Sequence, residues 1–366
     1  MSNELTKLAN PGVEGLMPYQ PGKPTEELER ELGITDIVKL ASNENPLGLS
    51  PLAKAAMERA MPELARYPDA NGYYLKQKLS ERLGCSSNQI TLGNGSNEVL
   101  EILFRTFVGA EDEVIFDAHA FIVYQLLTQS CGATAVKTAA KAWGHDLEAM
   151  LAAVTARTKL ICIANPNNPT GTFLTGDELE AFMDKVPAEV LVVLDEAYYE
   201  YLEAGQRTPS IQWLAKYPNL CVSRTFSKAY GLAGLRVGYL VASEAMTDLL
   251  NRVREPFNNN SLALAAAEAV LEDEQYLQQG IDLNKSEMAR LEAYFTERNI
   301  PFIPSVANFI TIEVGRAGAI YEALLKKGVI VRPIAGYGMP SHLRVSIGLE
   351  WENSRFMQAL DEVMAE

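Results

Sequence analysis

Three polar clusters, each directly behind a short apolar run, hold the residue types that covalent chemistry needs. NPNNPTG (165–171) follows KLICIA, DEAY (195–198) follows EVLVVL, and TFSKAYGLAGLR (225–236) follows LCVSR. A lysine is ordinarily a solvated surface group. Lys228, placed after a buried run among Ser, Thr and Gly, is different: burial lowers the pKa of an amine and leaves it free to attack a carbonyl. Asp195 ends an apolar run, where a helix cap or a buried ion pair is the plain alternative to a functional carboxylate. Asn168 sits in an Asn-Pro turn that marks a loop whatever else it does. A fourth cluster, GNGSNE (93–98), opens a helical stretch. Its glycines let backbone N–H groups converge, and a helix N-terminus favours an anion.

The elements that must position these clusters follow from periodicity. EVIF (113–116), KLICIA (159–164), EVLVVL (189–194), LCVSR (220–224) and RVGYLVA (236–242) read as buried strands. Between them lie helical stretches such as 97–108, with Val99, Leu100, Leu103, Phe104 and Phe107 on one face. This alternation predicts an α/β fold with a mostly parallel sheet in a large domain, 36–255, covered by helices on both sides. After Pro256 a long Ala/Leu-rich helix (261–277) leads to a small α+β domain, 256–366. Helices are expected there near 285–299, 317–327 and 352–365, and strands near 308–314, 329–332 and 342–347. Residues 1–35 are rich in Pro and Gly and suit an arm that joins the small domain or a partner. Ligands of open α/β sheets sit at the carboxyl ends of strands, so the clusters converge on one crevice. That crevice offers a phosphate cradle, a carboxylate and a lysine, which match the phosphate, ring nitrogen and aldehyde of pyridoxal 5'-phosphate.

NPNNPTG, DEAY and SKAYGLAGLRVGY, in this order, resemble the fold-type-I aminotransferases, and the resemblance covers nearly the whole chain. LMPYQPGKP (16–24), LASNENPLG (40–48), RYPD (66–69) and EPFNNNSLA (255–263) are similar to the histidinol-phosphate branch of that family. The resemblance implies that Lys228 binds the cofactor's aldehyde covalently and shuttles the substrate proton. It implies that Asp195 pairs with the ring nitrogen, and that Tyr198 and Asn168 hydrogen-bond the ring oxygen. Ser96 and Asn97 would give N–H groups to the phosphate, Thr225 and Ser227 hydroxyls, and Arg236 a charge. Phe121 aligns with the aromatic that stacks on the ring; a core aromatic is the competing reading. Arg344 matches the clamp for the substrate's distal anion, with Arg332 as helper or as a strand-end surface residue. Tyr67 and Tyr19 match residues that reach into a partner's site, against a bland reading as packed tyrosines. EPFNNNSLA departs from the branch: it carries three consecutive asparagines where the branch commonly has an apolar residue in the middle, and this puts pocket polarity near Asn259 in question.

The expected activity is amino transfer between L-histidinol phosphate and 2-oxoglutarate in histidine biosynthesis, by a homodimer with shared sites. An aromatic amino-acid aminotransferase shares PYQPGKP and NENPLG and is the alternative; an amino-acid-phosphate decarboxylase of related fold is a further one. A regulatory module would carry a DNA-binding segment, which is not found. The 47 Asp+Glu against 32 Lys+Arg give a net charge of −15, which repels nucleic-acid phosphates and anionic membranes. Cys85, Cys131, Cys162 and Cys221 are scattered, as are His119, His145 and His342, so no metal-ligand spacing appears. With no basic-then-apolar leader and no apolar run of bilayer length, the expected location is the cytoplasm.

Overall fold

The computed structural model describes residues 6, 8–17 and 22–365. After β1 (Val38–Lys39), a seven-stranded sheet forms from β2 (Ile90–Gly93), β3 (Glu113–Asp117), β4 (Thr134–Thr138), β5 (Thr158–Ala164), β6 (Leu191–Asp195), β7 (Leu220–Thr225) and β8 (Gly238–Val241). Its order is β2-β8-β7-β6-β5-β3-β4. Only β8 runs against its neighbours; the other pairings are parallel. Side-chain alternation explains why the central strands are apolar throughout. Ile161, Ile163, Val192, Leu194 and Val222 face one core, while Leu160, Cys162, Val193 and Cys221 face the other. The helix Ser96–Phe107 buries Val99, Leu100, Ile102, Leu103 and Phe104 against the second of these.

A second unit is built on β9 (Phe302–Ile303), β10 (Phe309–Glu313), β11 (Val329–Ile330), β12 (Arg332–Pro333) and β13 (His342–Ser346). Four of these form an antiparallel sheet in the order β12-β13-β10-β9, and β11 pairs in parallel with β1. Helices Glu274–Glu297, Ala317–Lys326 and Glu350–Ala365 cover it with Leu291, Phe295, Leu324, Phe356 and Leu360. Val38 and Leu40 belong to this small core, and Leu28 packs nearby on Leu325 and Ile330.

Two features differ from the sequence reading. β1, β2, β4 and β9 were not expected; β1 and β9 have only two residues each. β2 has only four residues, and β4 is a sheet edge whose TAVKT is largely exposed, so neither shows the apolar run of a central strand. The expected helix 261–277 is two helices. Ser261–Val270 ends before Asp273, whose side chain accepts from the Tyr276 N–H at 3.2 Å and caps the helix Glu274–Glu297. The first of these buries Ala263, Ala266, Ala267 and Val270 in the large core; the second carries Met288, Leu291 and Phe295 to the small one.

Candidate active site

The carboxyl ends of β5, β6 and β7 open on a cavity of about 190 Å³. Ser96, Asn97, Phe121, Asn168, Asp195, Tyr198, Thr225, Ser227, Lys228, Arg236, Arg332 and Arg344 all line it. The residues singled out in the three clusters therefore do converge, and β13 and β12 of the small unit bring Arg344 and Arg332 to the same space.

One end of the cavity is made for an anion. The helix Ser96–Phe107 starts at Gly95, which has φ +86° and offers no side-chain cap, so the first N–H groups of the helix keep their hydrogen-bonding capacity. Glycine is required there by the backbone, whose φ of +86° L side chains rarely adopt, and a Cβ would also crowd Arg236 Nη2 at 2.3 Å. Gly238 is equally constrained, since its Cβ would meet the Ser96 nitrogen at 2.5 Å. Arg236 itself adopts φ +55° and donates to Ser227 Oγ at 3.3 Å and to the Ala233 carbonyl at 3.0 Å. The Ser227 N–H in turn donates to Thr225 Oγ1 at 3.1 Å. Two hydroxyls, a guanidinium and a bare helix N-terminus thus share one corner, the donor set a phosphate monoester needs.

The floor holds Asp195. Tyr124, fully buried, donates its hydroxyl to Asp195 Oδ2 at 2.9 Å, while Oδ1 is buried without a protein partner. Burial pushes the carboxyl up to about 6, against the Tyr124 hydrogen bond, which pulls it down. An unpartnered buried carboxylate oxygen costs free energy unless a donor reaches it. A protonated ring nitrogen is such a donor. Phe121 precedes the helix Ile122–Ser130 and lines the cavity; its ring meets Tyr124 edge-on at 5.8 Å.

Lys228 Nζ donates to the Ser42 carbonyl at 2.9 Å. Burial and then the Arg344 charge lower its pKa to about 7, so a large share of the amine is neutral near pH 7. Tyr198 accepts from Asn43 Nδ2 at 2.9 Å, and burial raises its phenol to about 12, which keeps it a neutral hydroxyl. Asn43 adopts φ +55° and is locked by Ser346 and Asn308. Arg344 donates to Asn168 Oδ1 and, at 2.8 Å, to the Ala41 carbonyl; its guanidinium lies 5.3 Å from the Phe309 ring centre, and its Nε is buried without a partner.

This donor and acceptor set fits pyridoxal phosphate at all three of its handles. Residues 35–360 match the family described as aminotransferase class I and II. The chain belongs to that family. It is 59% identical over 98% of both chains to a histidinol-phosphate aminotransferase of Idiomarina loihiensis, and 57% identical over 99% of both to one of Pseudomonas aeruginosa. The solved histidinol-phosphate aminotransferase of Sinorhizobium meliloti, in complex with pyridoxal-5'-phosphate, superposes with a TM-score of 0.91 at 29% identity, covering 97% of each chain. An aspartate aminotransferase of Thermus thermophilus shares the fold at TM-score 0.84 and 20% identity.

Two expected residues of this aminotransferase stand apart from the cavity. Tyr67 does not line it: the side chain is 82% exposed and stacks on Phe257 at 4.7 Å. Tyr19 lies outside the described residues. The asparagines of EPFNNNSLA do not touch the pocket. Asn258 bonds Glu98 and the Leu92 carbonyl, Asn259 donates to the Gly93 carbonyl at 2.7 Å, and Asn260 caps the helix Ser261–Val270. Their polarity secures the glycine-rich turn rather than altering substrate space. Sequence reasoning missed Tyr124, Asn43 and the Ser42 carbonyl. Tyr124 has a signal, three residues past Phe121 on a helix, the spacing that places two side chains on one face; Asn43 lies in the quoted LASNENPLG.

Proposed function

We propose that the chain holds pyridoxal 5'-phosphate in this cavity and transfers the amino group of L-histidinol phosphate to 2-oxoglutarate, giving imidazole-acetol phosphate and glutamate, in histidine biosynthesis. What carries the reading is one juxtaposition: a half-buried lysine of lowered pKa, a buried carboxylate with an unpartnered oxygen, and a bare helix N-terminus in one cavity. The names of relatives that match the chain end to end supply the substrate.

The cofactor, when bound, supplies the ring that accepts the electron pair left on the substrate carbon after proton removal. Asp195 Oδ1 holds the proton on the ring nitrogen, and Tyr124 holds Asp195. Ser96, Asn97, Thr225, Ser227 and Arg236 grip the phosphate. Lys228 Nζ, with its lowered pKa, takes the substrate proton and returns it. Tyr198 and Asn168 stand ready to hydrogen-bond the ring oxygen, and Phe121 to stack on the ring. Arg344, assisted by Arg332, anchors the substrate phosphate in one half-reaction and the 2-oxoglutarate carboxylate in the other, since a guanidinium fork fits both.

The same reading includes a cytoplasmic homodimer, with Tyr67 and Tyr19 serving the partner's site, and a division into arm, large domain and small domain expected at residues 35 and 255, although Val38 and Leu40 pack in the small core and the helix Ser261–Val270 in the large one. Exposure of the Tyr67 ring supports a site shared between two copies. Half-reactions of the cofactor-loaded enzyme with histidinol phosphate, histidinol and phenylalanine test the substrate. A strong preference for the phosphorylated compound is expected; equal or better use of phenylalanine overturns the assignment. Sedimentation of a fully active monomer would overturn the shared site.

A further inference from the structure

Alternation along β6 and β7 sends Asp195 and Thr225 to the catalytic cavity and Glu196 and Arg224 to the opposite face of the sheet. A second cavity, again of about 190 Å³, lies there. Its lining includes Arg82, Arg207, Arg224, Glu200, Tyr230 and Tyr239. Arg224 and Glu200 are more than nine-tenths buried, whereas Arg82 and Arg207 are exposed at the mouth.

The charges in this cavity do not cancel. Arg224 is neutralised by Glu196, at 2.8 Å and 2.9 Å. Arg82 donates to the Leu271 carbonyl at 3.2 Å, and Arg207 to the carbonyls of Leu202 and Glu200, at 2.9 Å and 3.0 Å. Among the described residues neither guanidinium has a carboxylate as hydrogen-bond partner. Both Arg224 and Arg207 lie over the Tyr199 ring, at 3.6 Å and 5.5 Å, which fixes their positions in advance of any ligand. Glu200 is the only carboxyl of the lining, and no other side chain among the described residues donates to it. Burial, partly offset by Arg224, lifts it to about 7. In its protonated form it is a donor, so the groups facing the space are guanidiniums, phenols and a carboxylic acid. In a chain of net charge −15, such a concentration of donors is a local exception that favours an anion.

We propose that this second cavity is a binding site for a small oxyanion, a phosphate-class or carboxylate-class ion held by Arg82, Arg207 and Arg224. The site is independent of the substrate assigned above. It lies one residue from the catalytic cavity along β7, where Arg224 precedes Thr225. Glu200 is faced by Arg224 and Tyr239 from β7 and β8, by Arg207 and Glu196 from the loops behind β6, and by Tyr230 and Tyr201. Its protonated form bonds the anion and its ionised form repels it, so affinity falls as pH rises through about 7.

Sulfate is the probe, because it does not titrate near neutrality, and calorimetry of the cofactor-loaded enzyme is the measurement. Arg344→Lys serves as background, so that the substrate anchor does not mask the second site. A saturable sulfate event is expected there at pH 6.5, at least tenfold weaker once Arg82→Gln and Arg207→Gln are added. Both arginines are exposed, and circular dichroism checks that the fold is kept. Glu200→Gln should retain binding and lose its dependence on pH between 6.5 and 8, a readout that stands even if the double variant fails to fold. Succinate in place of sulfate distinguishes the sources: tighter succinate binding assigns a carboxylate, tighter sulfate binding a phosphate. Absence of saturable heat, or an isotherm untouched by the arginine and glutamate variants, shows a cavity that holds only water and overturns the proposal.

Discussion

Among the described residues two lysines, the half-buried Lys228 and the buried Lys76, have a lowered pKa, and their surroundings differ completely. Lys228 is brought down to about 7 at the end of β7, and Lys76 to about 8 in the helix Tyr73–Leu83, in each case mainly by burial. Arg344 depresses the first further and Arg254 the second. Lys76 then donates to Asn71 Oδ1 at 2.8 Å, and its cavity contains no buried carboxylate with an unpartnered oxygen and no free helix start, since Asp69 accepts from the Tyr73 N–H at 2.6 Å where the helix Tyr73–Leu83 begins. Lys228 has both beside it. A perturbed lysine is therefore not a site by itself. The neighbouring groups that a cofactor would complete make the difference.

The largest effect separates the two at once. Lys228→Ala should fold and abolish steady-state turnover, while Lys76→Met should keep turnover within about threefold, because a residue without contact to the cavity changes the barrier by less than ~1 kcal/mol. Next, Asp195→Asn should slow α-proton exchange by several orders of magnitude, at ~1.4 kcal/mol of barrier per tenfold. A neutral amide cannot hold a proton on the ring nitrogen, and a near-wild-type exchange rate would rule this role out. Arg344→Lys should impair both half-reactions by ~2–3 kcal/mol each, the loss of a charge-assisted pair, measured by single turnover with each substrate.

Smaller effects sharpen the contrast. Tyr124→Phe removes the donor that opposes burial at Asp195, so the Asp195 carboxyl of the apoprotein should titrate above about 6, and cofactor affinity should drop roughly tenfold for one lost hydrogen bond. Infrared titration of the carboxyl reads the first, fluorescence the second. For Lys76 the sign is fixed by its lowered folded-state pKa. Between about 8 and the ordinary value of 10.5 the unfolded chain binds more protons than the folded one, so stability rises with pH across that window. Denaturant unfolding should show this slope, and Lys76→Met should flatten it.

The convergence of Lys228 with Asp195 and Asn168 was legible because each follows a strand whose apolar run is unmistakable, and strand ends are where such folds bind ligands. β4 was not legible because an edge strand exposes half its side chains and loses the apolar signature. The break at Asp273 was hidden by an Ala/Leu pattern that continues through it; a cap is a local competition that periodicity does not register. Tyr124 and Asn43 escaped for another reason. Each acts by bonding a residue 71 or 155 positions away, and only the folded chain reveals such a pair. The three asparagines at 258–260 looked like pocket polarity; Asn258 and Asn259 instead brace the turn before Ser96, and Asn260 caps the helix Ser261–Val270.

The central claim is that Lys228, and no other lysine, meets the cofactor. Borohydride reduction of the cofactor-loaded enzyme, followed by proteolysis and mass spectrometry, tests it most directly. The account predicts a pyridoxyl group on the peptide containing Ser227-Lys228-Ala229. A pyridoxyl group found instead on Lys76 or any other lysine would contradict it.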